Sequence, residues 1–263
     1  MINVSIQNNF QSWRVAARRF LSGGIPPDQI CWSNEEQGSL FSQAAPSPSV
    51  TALSVPAEFI KLATAVACFD NADKWPLLYR ILYRLKSETR HLLEIESDAD
   101  VRAARTMEKS VNRDVHKFHA FVRFRRVDLA GEELFVAWHE PQHFTVERST
   151  PFFARRFGSM KFSILTPKGS AHWDLSKLTF SAAATREMAP GADETEDFWR
   201  LYYRSIFNPF RLNVKAMKKE LPVRHWPTLP EAPLIAELIR EGQAKSEPIS
   251  GISEQRSTIS LAQ

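Results

Sequence analysis

Cysteine, glycine-rich motifs and long apolar runs are scarce in this 263-residue sequence, and each scarcity excludes a class of protein. The two cysteines, Cys31 and Cys68, are too few for a disulfide framework or for the four thiolates of an iron–sulfur cluster. The longest nearly apolar run covers residues 62–69, whereas a membrane-spanning helix needs about 20 residues. The N-terminus does not show the charged and apolar regions of a secretory signal. We therefore expect a cytoplasmic protein with no membrane partner.

The sequence does not indicate a nucleotide-binding or metal-binding site either. Neither GxxxxGK[ST] nor GxGxxG occurs, so the sequence does not indicate a site for a nucleoside triphosphate or a dinucleotide. His116 and His119 could share one side of a helix, but no third zinc ligand is recognisable. Residues 139–143 read HEPQH, which has the letters of a zinc-protease motif, but they follow a strand pattern and contain Pro141. We predict no metal and no cofactor.

Positive charge is concentrated in two segments of the chain. Residues 101–127 carry eight basic and two acidic side chains, a net charge of +6. Residues 200–226 carry seven basic side chains and one acidic one, again +6. Since the whole chain has a net charge of +4, the rest amounts to −8. Such a separation favours a phosphate-rich partner over a charge distribution that serves only solubility.

Hydrophobic periodicity predicts an α+β fold, with a mixed α/β arrangement as the alternative. A helical middle section follows short strands near residues 3–7 and 29–33 and precedes a hairpin over 121–138. We expect one domain over residues 1–243, with a candidate sub-boundary in the 34–49 loop, and a disordered tail over 244–263. Helices are predicted, among others, at residues 10–21, 56–69, 75–94, 99–118 and 146–157, and further strands at 50–55 and 160–166.

The helix predicted over residues 99–118 separates an apolar side from a basic side. Its apolar stripe includes Val101, Val111 and Phe118. The opposite side carries basic residues at 3-4-4-3 spacing, diluted only by Glu108 and Asp114. A row of cations at this spacing could neutralise successive backbone phosphates, although an ordinary solvated helix face is the alternative. The row consists of Arg102, Arg105, Lys109, Arg113 and His116.

Several acid–base groups are candidates for catalysis, each with a structural alternative. His172 and Asp174 in SAHWD could form an acid–base pair or could hold a turn. The aromatic residues between 199 and 226 could stack on exposed bases or could belong to the core. The catalytic candidates are His116, His119, Glu140, His143, His172 and Asp174.

Five long phrases resemble a bacterial family of unknown function that is labelled "probable DNA metabolism protein". The resemblance covers about residues 3–240, and the opening SWRVAARRFLSGGIPP also fits its pattern. It implies association with a radical SAM protein of DNA repair or modification and with uracil-DNA-glycosylase-like domains, this chain being the stand-alone form. It implies no catalytic residues. The phrases are RDVHKFHAFVRFRRV, FVAWHEPQH, PFFARRF, SILTPKGSAHWD and WRLYYRSIFNPFRLNVKAMKKELPVRHWPTLPEA.

Charge and resemblance together predict a DNA-binding accessory protein in DNA repair or modification. Its partners would be single- or double-stranded DNA, the radical SAM protein and a uracil-DNA-glycosylase-like protein. An enzyme acting on a DNA base or its glycosidic bond is one alternative, and a docking adaptor for the radical SAM protein is another. The predicted DNA contacts are Arg102, Arg105, Lys109, Arg113, His116, Lys117, Arg123, Arg204, Arg211, Lys215 and Lys218.

Overall fold

The computed structural model describes most of the chain and divides it into two compact units. The first unit comprises residues 1–120 and 141–152, and the second comprises 121–140 and 153–263. The described residues are 1–34, 54–87, 89–129, 132–191, 217–219, 221–229, 232–235, 237 and 240.

The first unit begins with a strand, a helix and a second strand that pairs in parallel with the first. Strand β1 (Ile2–Ile6) pairs with β2 (Ile30–Asn34), so that Ile2 lies opposite Ile30. Helix α1 (Phe10–Ser22) makes the crossover that a parallel pair requires. The Asn9 side chain caps α1 by accepting the Ser12 N–H at 2.8 Å.

Three further helices complete the core of the first unit. They are α2 (Ala57–Val66), α3 (Lys74–Ser87) and α4 (Ala99–Phe121), whose last residue already belongs to the second unit. Trp13 of α1 is fully buried and stacks on Trp75 of α3, with ring centroids 6.3 Å apart. Phe59 of α2 packs against the same Trp13 ring at 6.4 Å. Aromatic rings therefore hold α1, α2 and α3 together.

The second unit is built on a five-stranded sheet in which the strands lie in chain order. Its strands are β3 (Arg125–Leu129), β4 (Glu132–Trp138), β5 (Phe162–Leu165), β6 (Ser170–Trp173) and β7 (Leu178–Ser181). Only β4 and β5 pair in parallel, and α5 (Val146–Arg156) lies between them in the chain. Phe162 and Ile164 of β5 are fully buried, and Phe124 packs on Phe162 at 5.2 Å.

The α+β fold that periodicity predicts is confirmed. The hairpin is confirmed as β3 and β4, but residues up to Phe121 are helical rather than extended. The helix predicted over residues 75–94 is too long, since α3 ends at Ser87 and a separate 3₁₀ turn covers Leu92–Glu94. Strand β7 was not predicted, and three of its four residues are exposed, so it lacks the apolar signal of a core strand. The loop at 34–49 and the strand at 50–55 lie almost wholly outside the described residues.

The one-domain prediction for residues 1–243 stays a prediction, and the tail at 244–263 lies outside the described residues. Within the described ranges, no helix combines the length and the apolarity needed to span a bilayer.

Candidate nucleic-acid interface

Helix α4 presents the predicted basic row on its exposed side. Val101, Val111 and Phe118 are buried, as the periodicity of the helix predicts. Four basic residues of the row are exposed and have no ion pair with any residue that the structure describes. They are Arg102, Lys109, Arg113 and His116, which we call the cationic row.

Arg105 belongs to the predicted row but differs from its other members because carboxylates hold it. It pairs with Glu58 of α2 and, at 3.2 Å, with Glu108 on its own helix. Burial by itself would lower the pKa of Arg105, but the hydrogen bonds that its guanidinium donates to the two carboxylates outweigh burial and raise it. Arg105 therefore ties α4 to α2, and its charge is partly neutralised.

Ion pairs with α3 fix the beginning of α4. Arg84 binds Asp98 at 2.6 Å and Asp100 at 3.3 Å, and Arg80 binds Asp100 at 2.8 Å. Asp98 also caps the helix by accepting the Val101 N–H at 3.1 Å. The side-chain hydrogen bond from Arg84 is the main reason that the pKa of Asp98 is lowered. These ion pairs with α3 thus set the orientation of α4 in the first unit, whereas its cationic row is exposed to solvent.

Helix α5 lies beside the C-terminal half of α4 and adds to the same surface. The Arg148 guanidinium donates a hydrogen bond to the Asn112 amide oxygen at 3.2 Å. The His119 Nε2 lies 3.0 Å from the Ser149 carbonyl oxygen, so Nε2–H is the donor. The ring of Phe152 stacks on His119, with centroids 4.3 Å apart. His119 is therefore a packing residue, whereas His116 lies at the surface.

His143 is a structural residue of the segment that precedes α5. It is 3% exposed, its Nδ1 accepts the Asp70 N–H at 3.3 Å, and its Nε2 lies 2.9 Å from the Ser110 hydroxyl. The ring also packs on Phe69 at 4.5 Å. Both ring nitrogens are thus engaged in holding residues 141–145 to the first unit.

A buried carboxylate on α4 anchors the same segment. Asp114 is 2% exposed and accepts the backbone N–H groups of Gln142 and His143, each at 3.0 Å. The Thr145 hydroxyl donates to it at 2.9 Å. The prediction that Asp114 dilutes the basic side is wrong, because its side chain is buried and points away from solvent. Its spacing of three and four residues from Val111 and Phe118 is the signal that places it on the apolar stripe.

The first two residues of the HEPQH segment have different surroundings. Glu140 is exposed and accepts the Trp138 indole N–H at 2.9 Å. His139 is fully buried and stacks parallel to His225 at 5.5 Å. Burial, followed by the charges of His225 and Arg224, lowers the pKa of His139 to about 3. His225 is a buried partner that sequence reasoning missed. His139 is thus a neutral core histidine of the second unit.

His172 and Asp174 each have their own partners on the sheet. His172 lies between two serines, with Nδ1 2.8 Å from the Ser163 hydroxyl and Nε2 2.8 Å from the Ser181 hydroxyl. Asp174 accepts the Lys177 N–H at 2.7 Å and both the N–H and the hydroxyl of Ser176. These bonds, the one from Lys177 first, lower the pKa of Asp174 to about 2. Asp174 therefore closes a turn.

The remaining predicted contacts are divided between described and undescribed residues. Lys117 is half-buried on α4, and Arg123 of the second unit donates to the Val122 carbonyl at 3.3 Å. Lys218 lies in a described helical stretch, whereas Arg204, Arg211 and Lys215 lie outside the described residues. Among the described side chains, no group of three or more His, Cys, Asp or Glu residues could hold a metal ion.

This fold and this surface define the class of the protein, which is an α+β protein with a cationic face on one helix. Residues 72–231 match the family DUF4130, a domain of unknown function, and this match is more than half of the chain. The chain belongs to that family. The matched range contains the cationic row, Asp114 and Arg148. No curated protein and no solved structure matches the chain.

Proposed function

We propose that this protein binds DNA through the cationic row of α4. The observation that carries the proposal is the contrast between paired and unpaired cations in the first unit. Arg80, Arg84 and Arg105 are paired with carboxylates, whereas the cationic row has no carboxylate partner among the described residues. Unpaired cations close together on one helix raise the local positive potential, which attracts a polyanion.

The dimensions of the cationic row suit a nucleic-acid backbone. Arg102 and His116 are fourteen residues apart, which is about 21 Å along a helix. At a rise of about 3.4 Å per nucleotide of one strand, this length corresponds to about six phosphates. Arg148, which Asn112 holds beside the row, extends the surface onto α5. The row contributes affinity for the phosphate backbone and does not distinguish between base sequences.

The biological setting of the proposal comes from the resemblance. A role in DNA repair or modification, with a radical SAM protein and a uracil-DNA-glycosylase-like protein as partners, belongs to the same proposal and is supported by that resemblance alone. If the protein were only a docking adaptor, the predicted basic row would be paired with carboxylates. Such pairing holds for Arg105 but not for Arg102, Lys109 or Arg113.

The test is the salt dependence of DNA binding, measured by fluorescence anisotropy between about 50 and 200 mM salt. Each phosphate contact contributes about 0.9 to the slope of log affinity against log salt for a duplex. Replacing Arg102, Lys109 and Arg113 with Gln should therefore lower the magnitude of that slope by about 2.7. Arg105 is left in place because its replacement would also break the ion pairs with α2.

A matched control removes three exposed cations elsewhere in the first unit. Arg14→Gln and Arg18→Gln on α1, with Lys86→Gln on α3, change the net charge by the same amount. The control should retain nearly the full slope if the row is the binding surface. Equal decreases of the slope in both variants would mean that net charge alone explains the effect. An unchanged slope in the α4 variant would refute the proposal. Thermal unfolding of both variants shows whether each is folded.

A further inference from the structure

We infer that a second copy of this chain docks on an open groove of the second unit, so that the protein forms a two-fold symmetric dimer. The groove has a volume of about 580 Å³ and is lined by the beginning of β4, the loop before β5 and the turn after β6. Dimerisation there does not depend on DNA binding, because the cationic row belongs to the first unit. The lining of the groove includes Glu132, Glu133, Phe135, Met160, Lys161 and Leu175.

Leu175 combines an unfavourable backbone conformation with an unfavourable exposure to solvent. Among the described residues, it is the one non-glycine residue in the left-handed region, with φ +80°. That region brings the Cβ of an L-residue close to a carbonyl oxygen, and glycine or asparagine adopts it at lower cost. Leu175 is also 46% exposed. A leucine at such a position is favourable when its side chain gains a contact that a single copy of the chain does not provide.

The turn after β6 holds Leu175 in this conformation. Asp174 accepts the Ser176 N–H at 2.9 Å, the Lys177 N–H at 2.7 Å and the Ser176 hydroxyl at 2.7 Å. These hydrogen bonds fix the backbone on both sides of Leu175. Its side chain therefore has a defined position before any partner arrives, and burying it in an interface costs little conformational entropy.

The same groove contains the apolar surface on which a second Leu175 can pack. Phe135 of β4 and Met160 before β5 are half-buried, so each leaves part of its side chain accessible in the groove. In a two-fold dimer every contact occurs twice, so Leu175 of each copy packs on Phe135 and Met160 of the other copy. This arrangement requires the protruding side chain and the surface that receives it to lie on one patch. The groove meets that requirement, because all three residues line it.

The charges that line the groove are complementary to each other. Lys161 binds Glu132 of its own chain at 2.8 Å, and its ammonium has further N–H donors for a second acceptor. Glu133 is 3.6 Å from Arg126, beyond hydrogen-bond distance, and its side chain is 59% exposed. In the dimer, Glu133 of each copy pairs with Lys161 of the other copy. A patch that carries both an acid and a base favours a second copy over a partner with charges of one sign.

The experiment is sedimentation equilibrium of the full chain without DNA, at concentrations between about 1 and 500 μM. The unchanged protein should form dimers in this range, and a monomer at every concentration would refute the inference. Leu175→Gly and Leu175→Asn should each raise the dissociation constant about 100-fold or more, because each dimer contains the leucine contact twice. Both substitutions suit the left-handed backbone, so urea unfolding should show no loss of stability in the monomer. Dimers of unchanged affinity in both variants would also refute the inference.

Mixing two charge variants tests the two-fold arrangement. Glu133→Lys alone and Lys161→Glu alone each bring like charges together twice per dimer, and each should associate at least about tenfold more weakly than the unchanged protein. An equimolar mixture restores both opposite-charge pairs, so heterodimers should form with nearly the affinity of the unchanged protein. If the mixture associates no better than the separate variants, the arrangement is wrong.

Met188→Ala is the matched control for Leu175. Met188 is 64% exposed in the second unit and is not one of the residues that line the groove. The control should leave the dissociation constant unchanged. If it weakens association as much as Leu175→Gly does, exposed apolar surface in general explains the dimer and the inference is wrong. A protein that stays monomeric but shows the salt-dependent DNA binding described above would refute the dimer and leave the proposed function intact.

Discussion

Replacing Asp114 with Ala should be among the most damaging substitutions of a charged residue in the first unit. Three donors would lose their acceptor at once: two backbone N–H groups, those of Gln142 and His143, and the Thr145 hydroxyl. Leaving a buried donor unsatisfied costs about 1–3 kcal/mol, so three of them sum to about 3–9 kcal/mol. Water entry relieves part of this cost, and we expect a loss of about 3–5 kcal/mol in the free energy of unfolding.

Urea unfolding measures this loss. With an m-value of about 2 kcal/mol/M, the midpoint should fall by about 1.5–2.5 M. Asp174→Ala is a closely matched control, because Asp174 also accepts two backbone N–H groups and one hydroxyl, but in an exposed turn. Water can replace those bonds, so the control should shift the midpoint by only a small fraction as much. Equal shifts for the two variants would refute the view that burial determines the cost.

Two further predictions concern pH and backbone conformation. Because the folded pKa of His139 is about 3 and its unfolded value is near 6.5, its contribution to stability is complete above pH 6.5 and is lost as the pH falls towards 3. His139→Phe should therefore reduce by about 1 kcal/mol the stability that the protein loses between pH 7.5 and 5.5, and urea unfolding at both pH values measures this difference. Gly24→Ala should destabilise the protein by about 1–2 kcal/mol because Gly24 has φ +67°, and Gly23→Ala, at φ −79°, should stay within about 0.5 kcal/mol; equal thermal shifts would contradict this account.

Local patterns were sufficient for the elements whose signal is periodic. The 3.6-residue repeat of Val101, Val111 and Phe118 predicted α4 and its basic side, and the alternation around residues 125–138 predicted the hairpin. The same periodicity could also have placed Asp114 on the buried side. A charge does not indicate exposure when backbone donors from a distant segment satisfy the carboxylate, as those of Gln142 and His143 do here.

The other site residues required knowledge of distant partners. Arg105 shares the spacing of the cationic row, and only the position of Glu58 on α2 shows that it is engaged. Phe152 lies in the apolar phrase PFFARRF next to the buried Phe153, and the sequence gives no reason to expect one ring in the core and the other at the surface. Exposure to solvent at such positions depends on which helix packs alongside.

The sequence by itself determined the α+β class, the position of α4 and the concentration of basic residues on one of its sides. These follow from spacing along a single helix or strand, where each residue's direction is set by its own backbone. The tertiary structure alone decided which cations have carboxylate partners, that both nitrogens of His143 are engaged, that His139 stacks on His225, and that Phe152 stacks on His119. Each of these depends on contacts between residues far apart in the chain, and a charge or a ring acquires its role only when folding determines what lies beside it.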